Sequence, residues 1–168
     1  ANSILLVEDN EELLQLMTKL LNRDYNVFTA ENGKEGITVL ENEDIDLIVS
    51  DVMMPEMNGI EFCKYVKGHL EISHIPVILL TAKNKEEDRA EAYEAGAEAF
   101  ISKPFNLTVL HARIRNLLKY KERTARDFKN QLVFEVKDLN YTSLDEDFIK
   151  RAIECVNNCL LYTSDAAD

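Results

Sequence analysis

Five short apolar runs recur along the first two thirds of the chain, and each is followed directly by a polar or charged residue. They cover residues 3–7, 26–30, 45–49, 77–80 and 98–102. Runs of this length, rich in Val, Ile and Leu and bounded by turn residues, are typical of buried β-strands. We therefore predict five strands, the third of which ends in Ser50 and Asp51.

A helical pattern follows each predicted strand. Apolar residues at three- or four-residue spacing mark the inward faces: Leu13, Met17, Leu20 and Leu21; Ile37 and Leu40; Phe62, Cys63, Val66 and Leu70; Ala92 and Tyr93; Leu107, Leu110, Ile114, Leu117 and Leu118. Asn10 is a candidate N-cap, and Gly96 suits the position after a helix. Alternating strands and helices predict an α/β fold with a parallel sheet covered on both faces. Periodicity does not give the strand order.

Composition and charge narrow the class of protein. The chain has 168 residues, 46% of them hydrophobic, enough for one core and a fragment. It shows neither a membrane span nor an export signal, so we expect a cytoplasmic location, which a larger membrane-spanning parent would still allow. A formal net charge of −12 argues against tight binding to nucleic acid. Cys63, Cys155 and Cys159 suit reduced thiols in helices.

Four strands end in groups that can carry chemistry. Glu8 and Asp9 follow the first strand, Asp51 ends the third, Thr81 the fourth, and Lys103 follows the fifth. The carboxyl ends of parallel strands share one edge, so these groups converge if their strands are neighbours. Clustered carboxylates repel one another and favour a hard cation such as Mg²⁺. Taken alone, Asp51 could equally cap its own loop.

Four motifs together make the chain resemble the receiver domain of two-component response regulators over residues 3–121. They are LLVEDN at 5–10, SDVMMPEMNG at 50–59, PVILLTA at 76–82 and FISKPF at 100–105. The resemblance implies a flavodoxin-like (βα)5 sheet with strand order 2-1-3-4-5. It also implies that Asp51 accepts a phosphoryl group from the phosphohistidine of a histidine kinase. The domain would catalyse only its own phosphorylation and dephosphorylation, so it would not be an enzyme.

The resemblance assigns roles to further residues. It implies Mg²⁺ held by Asp9, Asp51 and the main-chain carbonyl of Met53, with Glu8 acting through water. Thr81 and Lys103 would contact the phosphoryl group, and Thr81 and Phe100 would form the switch that remodels the face of helix 4, strand 5 and helix 5. Phe100 could equally be a plain aromatic residue of the core. That face could also form a homodimer. A cis bond before Pro104 is expected, and Met53 and Lys83 occupy positions that tune hydrolysis of the acyl phosphate.

Beyond the predicted receiver domain, residues 1–122, the pattern loosens. We predict that the last helix extends beyond Tyr120 and leads into a linker, assigned to 123–142. A further helix is predicted at 143–160, opened by a capping box of Ser143 and Glu146. This helix resembles the first helix of an AraC-type DNA-binding domain, whose missing remainder would contact DNA. Residues 161–168 are expected to be a non-native tail, or a natural tail without function.

Two rival functions stay open from sequence alone. An Asp-nucleophile phosphohydrolase of the haloacid-dehalogenase kind uses a similar acyl phosphate, but its D-x-D motif is not matched at Asp51, which Val52 and Met53 follow. A binding module that no longer accepts phosphoryl groups is the second rival. The histidines, His69, His74 and His111, are expected at the surface away from the site.

Overall fold

A computed structural model describes residues 1–82, 86–138, 148, 150–155, 157 and 158. The strands are β1 (Ser3–Val7), β2 (Asn26–Ala30), β3 (Leu47–Asp51), β4 (Val77–Thr81) and β5 (Ala99–Ser102). The helices are α1 (Glu11–Leu21), α2 (Gly33–Asn42), α3 (Gly59–Gly68), α4 (Glu86–Glu94) and α5 (Leu107–Asp138). All five predicted strands and their intervening helices are confirmed. No helix within these described residues combines the length and apolarity that crossing a membrane requires.

The five strands form one parallel sheet in the order β2-β1-β3-β4-β5. This is the order that the resemblance implied. β3 and β4 are fully buried, as continuous apolar runs in a parallel sheet should be. The order reverses direction between β1 and β3, and the crevice outside the carboxyl ends of the strands at such a point is where open α/β sheets bind ligands.

Helix caps fix where the connecting helices begin. Asn10, Asn32 and Asn58 have extended backbones and accept hydrogen bonds from the main-chain N–H three residues further on. Each bond satisfies a donor that the first helical turn leaves unpaired, for about 1 kcal/mol. After α4, Gly96 adopts a φ of 95°, the left-handed conformation that glycine tolerates best. Gly96 therefore ends the segment as predicted.

Burial departs from the predicted inward faces at two positions. Ala92 is fully buried, but Tyr93 is 56% exposed. Leu70 is 92% exposed because α3 ends at Gly68, before that residue. The prediction that Cys63 behaves as an apolar residue agrees with its burial, and burial raises the pKa of its thiol to about 11.

The chain divides into two compact units, and the boundary falls after Arg115 within α5. α5 itself continues to Asp138, so residues 123–138 of the predicted linker are helical. Neither Gly nor Pro follows Pro104 in the sequence, so nothing in the composition interrupts the helix. The apolar pattern loosens because none of the side chains at 123–133 is buried, while the helix itself continues. Residues 139–147 and 159–168 lie outside the described residues, and the predicted domain boundaries stay predictions.

Candidate functional site

The sheet brings three of the predicted groups to one edge. Asp51 is the last residue of β3 and Thr81 the last of β4, while Glu8 directly follows β1. Val7 is paired with Ser50, and Asp51 is paired with Leu80, so the register places the three side chains at adjacent strand ends. Glu8, Asp51 and Thr81 are at most 5% exposed. Buried polar groups in one crevice are unusual and require partners.

Glu8, Asp9 and Asp51 form an acidic cluster. One carboxylate oxygen from each residue lies within 4.8 Å of the others. Like charges at about 4 Å repel by roughly 4 kcal/mol per pair at an effective dielectric of about 20. Asp9 is exposed and the other two carboxylates are buried, so the cluster faces solvent through Asp9. Such an arrangement is stable only where positive charge compensates it.

Lys103 supplies one compensating charge. Its Nζ lies 3.1 Å from Glu8 Oε2 and 3.2 Å from Asp51 Oδ2, so one ammonium group bridges two buried carboxylates. Partial burial alone would lower the pKa of Lys103, but the carboxylates of Asp51 and Glu8 outweigh burial and raise that pKa. Lys103 is thus held in its charged form. The Lys103–Pro104 peptide bond is cis, as the resemblance implied.

Lys103 does not neutralise the cluster, because three carboxylates face one ammonium group and leave a formal excess of negative charge. Burial and the Asp51 carboxylate raise the pKa of Glu8, while Lys103 and the Asn10 N–H act in the opposite direction. Three hard oxygen donors with such an excess fit a divalent cation, and a cluster of carboxylates, carbonyl and water is the set that Mg²⁺ accepts. The residues present therefore fit a metal site.

Met53 and Thr81 lie beside this cluster. The Met53 N–H donates a long hydrogen bond of 3.4 Å to Asp51 Oδ1, and the Met53 side chain is 54% exposed. The main-chain carbonyl of Thr81 accepts a 2.6 Å hydrogen bond from the Lys103 N–H, which joins the loops after β4 and β5. The roles of Met53 in metal binding and of Thr81 in switching stay predictions. Lys83 lies outside the described residues.

Phe100, the predicted switch aromatic, is partly buried on β5 and packs against the core. The guanidinium carbon of Arg89, on α4, lies 5.8 Å from the centre of its ring. An arginine at that distance is within the range of a cation–π contact. Phe100 therefore connects β5 to α4 in this conformation without the hydroxyl that a tyrosine would provide.

Sequence reasoning missed how closely Gly59 approaches the site. A Cβ atom on Gly59 would overlap the main-chain carbonyl oxygen of Asp51, and it would lie 2.9 Å from Val52 Cα. The Gly59 N–H also donates a 2.9 Å hydrogen bond to the Val52 carbonyl. In the sequence, the Asn58-Gly59 pair is a turn signal. Its second function is to let α3 begin directly against the end of β3.

The histidines have local partners outside the acidic cluster. His69 Nδ1 lies 2.6 Å from the Tyr65 carbonyl oxygen, and its ring stacks on the Tyr65 ring at 3.9 Å. His111 Nε2 lies 3.2 Å from Asp24 Oδ2. Neither contact involves a residue of the cluster. The prediction that these two histidines lie away from the site is confirmed.

The fold and the acidic site together match a known family of proteins. A buried Asp at the carboxyl edge of a 2-1-3-4-5 sheet, bridged by a lysine to a second acidic residue, defines a flavodoxin-like signalling module. The family model described as the response regulator receiver domain matches residues 4–115. The chain belongs to that family and is a receiver domain of two-component signal transduction. This family match favours the receiver interpretation over the phosphohydrolase.

Two similar proteins are longer than this chain. The chain is 38% identical over 157 residues to Histidine kinase P4 of Formosa agariphila, covering 94% of this chain and 12% of that protein. It is 42% identical over 119 residues to the transcriptional regulatory protein CpxR of Escherichia coli, covering 70% of this chain and 50% of CpxR. The chain thus spans half or less of the length of these two relatives.

Solved structures agree with the fold. The signal receiver domain of a signal transduction histidine kinase from Syntrophus aciditrophicus is 38% identical, with a TM-score of 0.67 over 71% of this chain and 91% of that one. A CheY-like receiver domain protein from Methanospirillum hungatei is 30% identical, with a TM-score of 0.68 over 73% of this chain and 98% of that one. The match to this chain covers nearly the whole length of both receiver domains.

Proposed function

We propose that Asp51 accepts a phosphoryl group from a kinase phosphohistidine and that this modification is the signal the domain transmits. One observation carries the proposal: a buried aspartate at the end of β3 shares its crevice with two further carboxylates and with Lys103. An aspartate in such a setting can act as a nucleophile and form an acyl phosphate.

The chain's own residues position the reaction. A carboxylate oxygen of Asp51 attacks phosphorus and a P–O bond forms. The P–N bond of a donor ring that is protonated on its other nitrogen breaks, its electron pair stays on the ring nitrogen, and the imidazole leaves neutral with that proton. Lys103, already 3.2 Å from Asp51 Oδ2, stabilises the negative charge on the transferred phosphoryl oxygens. Thr81, at the neighbouring strand end, offers a hydroxyl to one of those oxygens. Catalysis is therefore mostly positioning and electrostatics, as in other phosphoryl transfers.

Asp9, Asp51 and the Met53 carbonyl would hold Mg²⁺, and Glu8 would contact it through water. When bound, the ion neutralises charge on the phosphoryl oxygens. The exposed position of Asp9 gives the ion an entrance from solvent. The same residues explain why Lys103 alone does not suffice, since one ammonium group faces three carboxylates.

Removing the metal is expected to stop phosphorylation. With a small phosphodonor such as acetyl phosphate and millimolar Mg²⁺, intact-mass spectrometry should show one added phosphoryl group. Excess EDTA should slow that uptake by at least about 100-fold, because the metal supplies several kcal/mol of charge stabilisation. Adding Mg²⁺ back should restore the rate. Uptake at an unchanged rate in EDTA would contradict the proposed site.

An open apolar groove beside the site suits the kinase. Leu13 and Leu16 of α1 line it on one side, and Lys103, Phe105 and Leu107 on the other. Leu16 is 52% exposed, so its side chain is accessible to a partner. A helix carrying phosphohistidine could pack in the groove and present its phosphoryl group to Asp51. The donor could belong to the same polypeptide or to another.

Leu16→Glu is expected to separate protein donors from small donors. The donor is an autophosphorylated histidine kinase that phosphorylates the wild-type chain. The substitution should slow phosphotransfer from it tenfold or more, because docking would remove the new carboxylate from water and place it against apolar side chains. Uptake from acetyl phosphate should stay unchanged. Leu70→Glu, at an exposed leucine outside the groove, is the matched control and should affect neither. Equal loss from both donors would refute the groove's role. Radiolabelled transfer gels measure the first rate and mass spectrometry the second.

The output rests on a population shift. Phosphorylation of Asp51 would draw Thr81 toward the phosphoryl group and change the packing of Phe100, altering the face formed by α4, β5 and α5. That face could contact a second copy or an output domain. The output is proposed to be transcriptional, through an AraC-type DNA-binding domain of which residues 143–160 would be the first helix. The domain itself catalyses only its own phosphorylation and dephosphorylation.

A further inference from the structure

Residues 113–129 of α5 carry a net positive charge, opposite in sign to the net charge of the whole chain. The basic residues there are Arg113, Arg115, Lys119, Lys121, Arg123, Arg126 and Lys129, and the acidic ones are Glu122 and Asp127. The chain as a whole carries a formal net charge of −12, so the acidic excess lies elsewhere. A net charge averaged over the whole chain hides this helix.

Part of this charge forms a continuous surface, the α5 basic stripe, defined by Lys119, Arg123, Arg126 and Lys129. Residues three and four apart are neighbours on one side of a helix. Lys119, Arg123 and Arg126 are exposed and Lys129 is half-buried. Among the described residues, none of the ion pairs found involves a member of the stripe. Its charges are therefore available to a partner.

We propose that the α5 basic stripe binds the phosphate backbone of duplex DNA without reading its sequence. The stripe extends about 15 Å at 1.5 Å per residue, a length over which a duplex presents roughly nine phosphates on its two strands. Arginine forks match the geometry of phosphate oxygens, and long basic side chains on a helix reach several phosphates at once. Charge complementarity thus selects a polyanion of high linear charge density.

A membrane surface fits this helix less well. Helices that lie on membranes carry a broad apolar face beside the basic one. Here Leu118 is 6% exposed, and Tyr120 and Phe128 are isolated exposed aromatics two turns apart. The described part of the segment therefore offers no contiguous apolar face for insertion. Binding to anionic vesicles and self-association are therefore alternative results, which separate measurements distinguish.

The test is fluorescence anisotropy of the full 168-residue chain with a labelled 30-base-pair duplex of arbitrary sequence, in a salt series. Wild-type binding should weaken with salt with a log–log slope of about −3 to −4, about −0.9 per phosphate contacted. The triple variant K119Q/R123Q/R126Q should bind at least tenfold more weakly and show a shallower slope. The triple variant K19Q/K34Q/K64Q removes the same charge from exposed positions in the receiver unit, and its affinity should change less than twofold.

Each remaining outcome decides the matter. Equal losses in the two triple variants would overturn the proposal, because charge rather than its location would then control binding. Binding to vesicles of phosphatidylglycerol and phosphatidylcholine, or salt-dependent self-association measured by sedimentation, would overturn it if no DNA binding accompanies them. Asp51→Asn should bind the duplex like the wild type. DNA binding and phosphorylation can therefore fail independently.

Discussion

Asp51→Asn is expected to abolish phosphoryl uptake. Asparagine keeps the size of the side chain but replaces the nucleophilic carboxylate oxygen and removes a charge that pairs with Lys103 at 3.2 Å. An amide cannot form the acyl phosphate, so a chain incubated with acetyl phosphate and Mg²⁺ should show less than about one per cent of the wild-type modification, a loss of roughly 100-fold or more. Intact-mass spectrometry measures the modified fraction directly.

Asp44→Asn is the matched control, since Asp44 is an exposed aspartate in the loop before β3. The same chemical change there should leave the modified fraction unaltered. The wild-type modification should also disappear in alkaline hydroxylamine, which cleaves acyl phosphates but leaves phosphoserine and phosphothreonine intact. Modification of Asp51→Asn at the wild-type level would show that another residue accepts the phosphoryl group, and the role assigned to the acidic cluster would be wrong.

Local sequence patterns predicted the strands and the helices between them. Apolar runs such as residues 77–80 are long enough for strands and too short for helices, and each ends at a residue that cannot stay buried unpaired. Because parallel strands share a carboxyl edge, the same ends also located Glu8, Asp51 and Thr81. Strand order came only with the family resemblance, since it depends on contacts between distant segments that no local pattern records.

The errors have a common cause. The periodicity that placed Tyr93 and Leu70 inward assumes that a helix extends to the position in question and faces the core with its whole apolar arc. α3 ends at Gly68, and α4 buries small residues such as Ala92 instead of its tyrosine. The continuation of α5 through residues 123–138 has the inverse explanation. A helical segment without buried side chains, such as residues 123–133, needs helix-forming residues and no apolar stripe.

The close approach at Gly59 was also beyond local inference. Asn58-Gly59 reads as a turn signal in any sequence, whereas its importance here comes from tertiary contact between the start of α3 and the main chain of Asp51. β3, which ends in Asp51, and α3 meet without an intervening side chain. We expect this backbone packing to determine where the Asp51 carboxylate lies relative to Lys103.

Gly59→Ala is expected to destabilise the domain and to displace the site. The new methyl group would overlap the Asp51 carbonyl oxygen and approach Val52 Cα at 2.9 Å, and both are backbone atoms of a buried strand that cannot rotate away. Overpacking of this kind costs about 1–3 kcal/mol or more. Urea denaturation followed by circular dichroism should show a lower midpoint with an unchanged slope.

Gly68→Ala is the matched control at the other end of the same helix, because a Cβ atom there would meet nothing within 4 Å. Alanine is a better helix former than glycine, so the free energy of unfolding of this variant should be equal to that of the wild type or up to about 1 kcal/mol higher. Its urea midpoint should be equal or higher accordingly. Acetyl phosphate uptake should fall in Gly59→Ala, under conditions where the variant is fully folded, and stay unchanged in Gly68→Ala. Equal shifts in the two midpoints would mean that helix propensity, rather than contact with the Asp51 backbone, determines the effect. A destabilised Gly59→Ala with normal uptake would show that α3 supports the fold without positioning the phosphoacceptor.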